Sequence, residues 1–189
     1  MKPAIKGKWS LADYLQLEQE QAIRYEYHDG EVLAMSGEAP KHGAIASNII
    51  GLLNNLLTGG CRTFNSDVKV YISSINEGLY PDVSIACRPI EQMQEVNGIT
   101  NPVLLVEVLS PSTADDDRAG KFRYYSRLAS FREYVLVEQE TNTVETRYRS
   151  STDTPREMDW FEGEDTEVVL RSLNITLPIS EIYQETDDL

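Results

Sequence analysis

The sequence has no long apolar segment and few cysteines, and its acidic residues outnumber its basic ones by 31 to 17. No stretch approaches the roughly 20 apolar residues that a membrane-spanning helix needs. The basic positions within residues 1–9 have no apolar run behind them, so this segment does not resemble a secretory leader. These absences argue against membrane attachment and predict a cytoplasmic protein.

Only two cysteines are present, Cys61 and Cys87. They lack the spacing of a metal site and do not form the dense framework of a small secreted domain. Two buried, reduced thiols are therefore the expected state, and a disulfide is the alternative.

The chain has 189 residues, of which 41% are apolar and 25% charged, as in an ordinary globular domain. We expect a single domain over residues 1–189. The formal charge of −14 opposes nucleic-acid binding, because Lys and Arg supply most of the non-specific affinity for phosphates. However, residues 151–189 hold 11 acids and two arginines, a net charge of −9, which leaves −5 for residues 1–150. The acidity is thus concentrated near the end of the sequence.

One segment has the opposite charge. Between positions 118 and 132 the sequence contains no acid and five basic residues, namely Arg118, Lys121, Arg123, Arg127 and Arg132. On a helix these residues would form a basic stripe, so Arg118, Arg123 and Arg127 are candidates for contact with nucleic acid. The alternative is a solvated helix face that balances an acidic protein.

The order of hydrophobic patterns predicts a mixed α/β (α+β) sheet with helices on its faces. The predicted helices are 11–21, 42–57 and 115–128. A hairpin is predicted over residues 24–36, because Asp29-Gly30 is a strong two-residue turn signal. Further strands are predicted at 63–72, 80–87, 103–109, 134–138 and 144–148, with weaker strands within 160–177 and a short turn at 180–183.

Two carboxylates on predicted strands suggest a metal site. Alternation places Glu107 on an apolar strand face with Leu105 and Leu109, although a buried carboxylate needs a cation or hydrogen-bond donors. A second acid, Asp82, begins a neighbouring strand, and two like charges side by side are unfavourable without a cation between them. Mg²⁺, with Mn²⁺ as a substitute, would satisfy both acids, and the backbone carbonyl of Val108 could be a further ligand.

Several motifs together resemble the PD-(D/E)XK nuclease superfamily and, within it, the Uma2 family, also described as a restriction endonuclease domain and abundant in cyanobacteria. The motifs are Tyr80-Pro81-Asp82-Val83, Glu107-Val108-Leu109-Ser110-Pro111-Ser112-Thr113, Asp117 followed by Lys121 and Tyr124 or Tyr125, and Glu133-Tyr134-Val135-Leu136-Val137. The resemblance implies a restriction-endonuclease-like mixed sheet flanked by helices. It also implies an N-terminal β-hairpin extension, a nuclease core over about residues 40–150, and a homodimer.

The catalytic lysine departs from the superfamily pattern. That pattern has a lysine two residues after the glutamate, where this chain has Leu109. The Uma2 pattern has its lysine on the following helix, and Lys121 matches that position. If Lys121 instead pairs only with Asp117, four residues earlier, the site loses its cationic group.

The resemblance implies a Mg²⁺-dependent endonuclease that cleaves DNA, in which Asp82 and Glu107 bind the metal and Lys121 assists. One alternative is a non-catalytic homodimeric binding or scaffold protein that retains the nuclease fold. Another is a metal-dependent hydrolase of RNA or of a small phosphoester, which would have a closed pocket in place of an open, basic-rimmed groove.

Three further residues are weaker candidates for the lining of the site. His42 is near the start of a predicted helix, where a local hydrogen bond would explain it equally well. Glu31, after the hairpin turn, could add a third acid or face solvent. Tyr124 could share the face of Lys121, although core packing is the more ordinary role.

Overall fold

The computed structural model describes residues 4–5, 7–21, 23–35, 37–111, 113–150 and 157–189. Its α-helices are α1 (Leu11–Gln21), α2 (Pro40–Leu56), α3 (Phe122–Tyr125) and α4 (Ile179–Ile182). A 3-10 turn covers Gln94–Val96, and a π-helical segment, Asp116–Lys121, leads directly into α3. Within the described ranges, no helix is both long and apolar enough to cross a membrane.

The strands are short and numerous. In chain order they are β1 (Ala4–Ile5), β2 (Tyr25–His28), β3 (Glu31–Ala34), β4 (Cys61–Asn65), β5 (Lys69–Ile72), β6 (Glu77–Leu79), β7 (Val83–Cys87), β8 (Gln92–Met93), β9 (Gly98–Ile99), β10 (Pro102–Leu109), β11 (Glu133–Glu138), β12 (Thr143–Tyr148), β13 (Glu157–Glu162), β14 (Glu167–Leu170) and β15 (Ile175–Pro178).

These strands form two large sheets and one small one. The first sheet has the order β1-β3-β2-β6-β5-β9-β8, the second has the order β13-β12-β11-β10-β7-β4, and β14 pairs with β15. The pairs β10–β11 and β5–β9 are parallel, and the other described pairs are antiparallel. The predicted mixed α+β class is confirmed.

Helix α1 begins and ends at the predicted residues. The Ser10 hydroxyl accepts a hydrogen bond from the Asp13 amide at 3.2 Å and donates one to the Asp13 carboxylate at 2.6 Å. This arrangement satisfies a backbone donor that the first helical turn leaves unpaired.

The predicted hairpin is β2–β3, and its turn residues Asp29 and Gly30 have φ values of 44° and 102°. Such positive values suit a two-residue hairpin turn. Strand alternation sends Tyr25 and Tyr27 toward α1, where they join an apolar cluster. Glu26, between them, points to the opposite face. Since β2 lies between β3 and β6, the hairpin is an integral part of the first sheet.

Strand β10 separates two hydrophobic cores. Leu104, Val106 and Val108 pack with α2 in one cluster, and Leu105 and Leu109 belong to a second cluster with α3 and both large sheets. The predicted alternation of this strand is therefore confirmed. Glu107 shares the face of the second core.

Three predicted elements need correction. The strand predicted at 63–72 is two strands in different sheets, β4 and β5, because the chain turns between them. The strand predicted from residue 80 begins at Val83, and the residues before it carry β6 of the first sheet. The helix predicted over 115–128 is the π-helical segment followed by the single turn of α3.

The expectation of two reduced cysteines is wrong in this structure, where a disulfide joins Cys61 to Cys87. The two residues are directly opposite each other in the antiparallel pair β4–β7. Sequence spacing does not reveal this register, because strands β5 and β6, which belong to the other sheet, lie between the two cysteines in the chain.

Two glycines provide a test of the hairpin turn. The φ of +102° at Gly30 is one that an L-residue rarely adopts, and an added Cβ would lie 3.1 Å from the Lys8 side chain. Gly30→Ala should therefore lower the free energy of unfolding by about 1–3 kcal/mol. Gly51, exposed within α2, has open space around it, so Gly51→Ala should raise stability by up to about 1 kcal/mol. Urea denaturation of both variants measures the difference, and equal effects would contradict this account of the turn.

Candidate active site

Glu107 is the centre of a buried cluster of charged side chains. It is 2% exposed, and each of its carboxylate oxygens faces a donor. Oε2 lies 2.9 Å from the Lys121 ammonium, and Oε1 accepts a hydrogen bond from the Tyr125 hydroxyl at 2.8 Å. Glu107 thus has the partners that a carboxylate on an apolar strand face requires.

The π-helical segment and α3 supply three groups to this cluster. Asp117, Lys121 and Tyr125 recur every four residues, a spacing that places them on one helical face. Asp117 Oδ1 lies 2.9 Å from the Lys121 ammonium, and the Tyr134 hydroxyl donates to the Asp117 backbone carbonyl. The two alternatives for Lys121 therefore occur together, because it pairs with Asp117 and with Glu107.

Asp82 lies beside this cluster because it directly precedes β7, which pairs antiparallel with β10. Its Oδ2 accepts a hydrogen bond from the Val108 amide at 2.7 Å, and its Oδ1 lies 3.0 Å from Nε2 of His42. The predicted Val108 carbonyl is thus next to the site, but the contact with Asp82 is made by the amide. The Asp82 side chain is 16% exposed.

Sequence reasoning missed Glu26, which is 1% exposed and lies 3.8 Å from the Lys121 ammonium. Its place between Tyr25 and Tyr27 was an available signal, because alternation turns it away from the face that packs on α1. Glu31, the predicted third acid, is exposed at the hairpin turn, and the structure does not bring it to the cluster.

Burial and charge shift the pKa values of the central pair. Burial raises the pKa of Glu107 well above its ordinary value, and the Lys121 ammonium opposes this shift. Burial works against the charged form of Lys121, but the carboxylates of Glu107, Glu26 and Asp117 together raise its pKa well above the usual range. Lys121 is therefore held as a cation among acids.

Histidines adjoin the cluster on two sides. For His42, burial opposes the charged form, but Asp82 and the nearby acids raise its pKa above the ordinary value. On the other side, Nδ1 of His28 lies 2.7 Å from Glu77, and Nε2 lies 3.7 Å from Glu26. Here too burial opposes protonation, and the hydrogen bonds and charges of the two glutamates raise the pKa to about 9.

The remaining predicted residues lie farther from the acids. Tyr124 is half-buried against His28, with 5.6 Å between ring centroids, whereas the neighbouring Tyr125 binds Glu107. Arg118 forms an ion pair with Glu138. Arg123 and Arg127 are exposed, so part of the predicted basic stripe faces solvent.

The donor set suits a hard divalent cation. In the described part of the chain the carboxylates of Glu107, Asp117 and Glu26 pair with the Lys121 ammonium, and the carboxylate of Asp82 pairs with the His42 imidazole. No three His, Cys, Asp or Glu side chains among the described residues are already arranged as a metal site. Mg²⁺ often uses only one or two carboxylates and retains several waters, so Asp82 and Glu107 fit it.

Removal of the central cation should be costly. Lys121→Met leaves the buried acids without their ammonium, so the free energy of unfolding should fall by about 3–5 kcal/mol. The double variant Glu107→Gln, Lys121→Met should lose less free energy of unfolding than the two single variants lose together. The reason is that either substitution alone already removes one of the two interacting charges. Urea denaturation at neutral pH measures both effects, and additivity would show that the pair is not coupled.

His28 should make stability depend on pH. Because its folded pKa of about 9 exceeds the ordinary 6.5, its charged form stabilises the fold fully below pH 6.5, and this contribution is lost as the pH rises through 9. The stability difference between wild type and His28→Gln should therefore fall by up to about 3 kcal/mol over that interval. Denaturation at several pH values tests this, and a constant difference would contradict it.

Comparison with known proteins gives two relatives from Synechocystis sp. (strain ATCC 27184 / PCC 6803 / Kazusa). "Uncharacterized protein slr1290" is 34% identical over 182 residues, covering 94% of this chain and 92% of that protein. "Uncharacterized protein sll1609" is 31% identical over 170 residues, covering 88% of this chain and 94% of that protein.

A solved structure from Anabaena variabilis ATCC 29413, described as "a putative nuclease belonging to DUF820", matches with a TM-score of 0.73 and 19% identity. The match covers 94% of this chain and 99% of that one, and it confirms the restriction-endonuclease-like fold. The model of the Uma2 family, described as "Putative restriction endonuclease", matches residues 11–180. The chain therefore belongs to the Uma2 family of restriction-endonuclease-like nucleases.

Proposed function

We propose that this protein is a Mg²⁺-dependent endonuclease that hydrolyses phosphodiester bonds in DNA, with Mn²⁺ as a possible substitute. The observation that carries the proposal is the set of Asp82, Glu107 and Lys121. The buried Glu107 pairs with the Lys121 ammonium, and Asp82, which is partly exposed, accepts a hydrogen bond from the amide of Val108, the residue after Glu107. The buried pair is costly, and the set suits charge development on a phosphate.

Asp82 and Glu107 would hold the cation. When bound, Mg²⁺ polarises the scissile phosphate and lowers the pKa of a coordinated water. The Val108 amide and His42 fix the two oxygens of Asp82, and Tyr125 fixes one oxygen of Glu107. These contacts orient both acids before a ligand arrives, which reduces the cost of reorganisation during the reaction.

Lys121 would stabilise negative charge on the phosphate or position the attacking water. Its ammonium is held at 2.9 Å from both Glu107 and Asp117, so its position is defined by two helix or strand residues and not by a flexible loop. Asp117 and Glu26 act as positioning residues, because their charges keep Lys121 protonated and near Glu107.

A non-catalytic scaffold that retains this fold is the less favoured function. Without chemistry to perform, a chain gains little from burying the three acids Glu26, Glu107 and Asp117, since apolar residues of similar volume are usually as stabilising as a buried ion pair. As an endonuclease, the protein would act as a cytoplasmic homodimer, so that two sites address two strands. Arg123 and Arg127, which are exposed, would contact the DNA backbone, with Arg118 beside them.

One observation favours a second candidate, a metal-dependent hydrolase of RNA or of a small phosphoester. Glu107, Asp117 and Lys121 are at most 5% exposed, so the site is more enclosed than an open groove. An enclosed site suits a small or unpaired substrate better than a duplex.

A cleavage assay tests the proposed chemistry. Plasmid and oligonucleotide substrates with Mg²⁺ or Mn²⁺ should be cut by the wild type. Asp82→Asn, Glu107→Gln and Lys121→Met should each lower the rate by about 10³-fold or more, because each removes several kcal/mol of transition-state stabilisation.

Glu31→Gln is the matched control, because this acid is exposed and lies outside the cluster. It should keep the wild-type rate. Thermal stabilisation by Mg²⁺ that needs Asp82 and Glu107, together with hydrolysis of RNA or of a phosphodiester dye but not of DNA, would favour the second candidate. If both cleavage and metal-dependent stabilisation are absent, the result would support the non-catalytic scaffold.

A further inference from the structure

A cavity of about 320 Å³ lies against the part of the site that is not buried. Asp82 and His42 line it, whereas Glu107, Asp117 and Lys121 are at most 5% exposed. Asp82 is therefore the acid of the site that a phosphate in this cavity can reach.

The cavity is lined by both polar and apolar side chains. Amide and hydroxyl groups come from Asn65, the last residue of β4, from Ser66 in the turn that follows, and from Ser47 of α2. Met35, Ala46 and Ile50 form the apolar part. This combination suits a ligand with an apolar face and several hydrogen-bonding groups, such as a base with its sugar.

Arg24 is the one Lys or Arg side chain among the described residues of the cavity wall. Its Nη1 donates to the Ser66 carbonyl at 2.6 Å and to the Ser66 hydroxyl at 3.0 Å, and it pairs with Asp67 at 3.1 Å. The side chain remains 44% exposed, and a guanidinium has further N–H donors on Nε and Nη2. Arg24 is thus held in place through Nη1, and the N–H groups of Nε and Nη2, which point outward in the plane of the guanidinium, can donate to an oxyanion.

The size of the cavity limits its occupant. A space of about 320 Å³ lies at the lower end of the range for small-molecule sites, about 300–1,000 Å³. The major groove of B-DNA alone is about 12 Å wide, so a base-paired duplex cannot enter. An unpaired or extruded nucleotide can.

We propose that this cavity binds a single unpaired nucleotide of a DNA strand and that Arg24 binds its phosphate. This inference rests on the proposed function, since it delivers the scissile bond to Asp82. The cavity also contains the acid Glu38, so its net charge is low, and the sugar and base contacts contribute to affinity beside the arginine. The preferred substrates are then single strands, flaps and frayed ends.

Two pairs of variants test separately the charge of Arg24 and the free volume of the cavity. Arg24→Gln removes the guanidinium, and Arg62→Gln removes an exposed arginine of β4 that does not line the cavity. Gly43→Phe fills the cavity from α2, where an added Cβ meets nothing within 4 Å, and Gly51→Phe places the same ring elsewhere on α2. Thermal unfolding checks that all four variants are folded.

The measurement is fluorescence anisotropy of a fluorescein-labelled oligodeoxynucleotide, single-stranded or as a blunt hairpin duplex, with Ca²⁺ in place of Mg²⁺ to avoid turnover. The wild type should bind the single strand more tightly than the duplex. Arg24→Gln and Gly43→Phe should each weaken single-strand binding by about tenfold or more, and Arg62→Gln and Gly51→Phe should not change it.

Equal binding of duplex and single strand, or wild-type affinity in both Arg24→Gln and Gly43→Phe, would overturn the inference. The absence of binding to either oligonucleotide would overturn it too. A cleavage assay in Mg²⁺ separates the test of the cavity from the test of the proposed function. Single-strand binding without cleavage rejects the chemistry and leaves the cavity assigned, whereas duplex cleavage that persists in both cavity variants rejects the cavity and leaves the chemistry.

Discussion

The site depends on the ion pairs between the Lys121 ammonium and the acids around it. The ammonium lies 2.9 Å from Glu107, 2.9 Å from Asp117 and 3.8 Å from Glu26, and all four groups are almost fully buried. Each acid would be unfavourable in this interior without a nearby cation, and a lone lysine would be equally unfavourable without the acids. The cluster therefore requires three parts of the chain to meet, namely the N-terminal hairpin, strand β10 and the π-helical segment.

The two-sided environment of β10 explains how these parts can meet. One face of the strand packs on α2 and holds the second sheet against that helix. The other face belongs to a core shared with the first sheet and α3, and Glu107 is the charged residue on that face. Because the hairpin is paired within the first sheet through β6, the packing of the two sheets delivers Glu26 to the cluster. Fold stability and site assembly therefore depend on the same contacts.

Burial of the acids creates a problem of access. A dry, preorganised site strengthens electrostatic interactions, but it also restricts which substrates can reach it. Asp82 lies between the buried cluster and solvent, and its partly exposed side chain lines the cavity next to α2. This arrangement is consistent with the proposed substrate, which would enter the cavity one nucleotide at a time.

Local patterns in the sequence determined much of this structure. The Ser10 cap, the Asp29-Gly30 turn and the alternation along residues 103–109 are set by interactions between residues close in the chain, so α1, the hairpin and the two faces of β10 could be predicted. The family motifs pointed to Asp82, Glu107 and Lys121 as the side chains of interest.

Only the tertiary structure decided which distant residues meet. The cluster includes Glu26 and not Glu31, Tyr125 and not Tyr124, and it links Lys121 to two acids at once. The disulfide between Cys61 and Cys87 likewise follows from strand register. Propensity and periodicity report which face of an element is buried, but they do not report what that face packs against. Partners separated by many residues are fixed by strand register and by the packing of the two sheets, and both are properties of the whole fold.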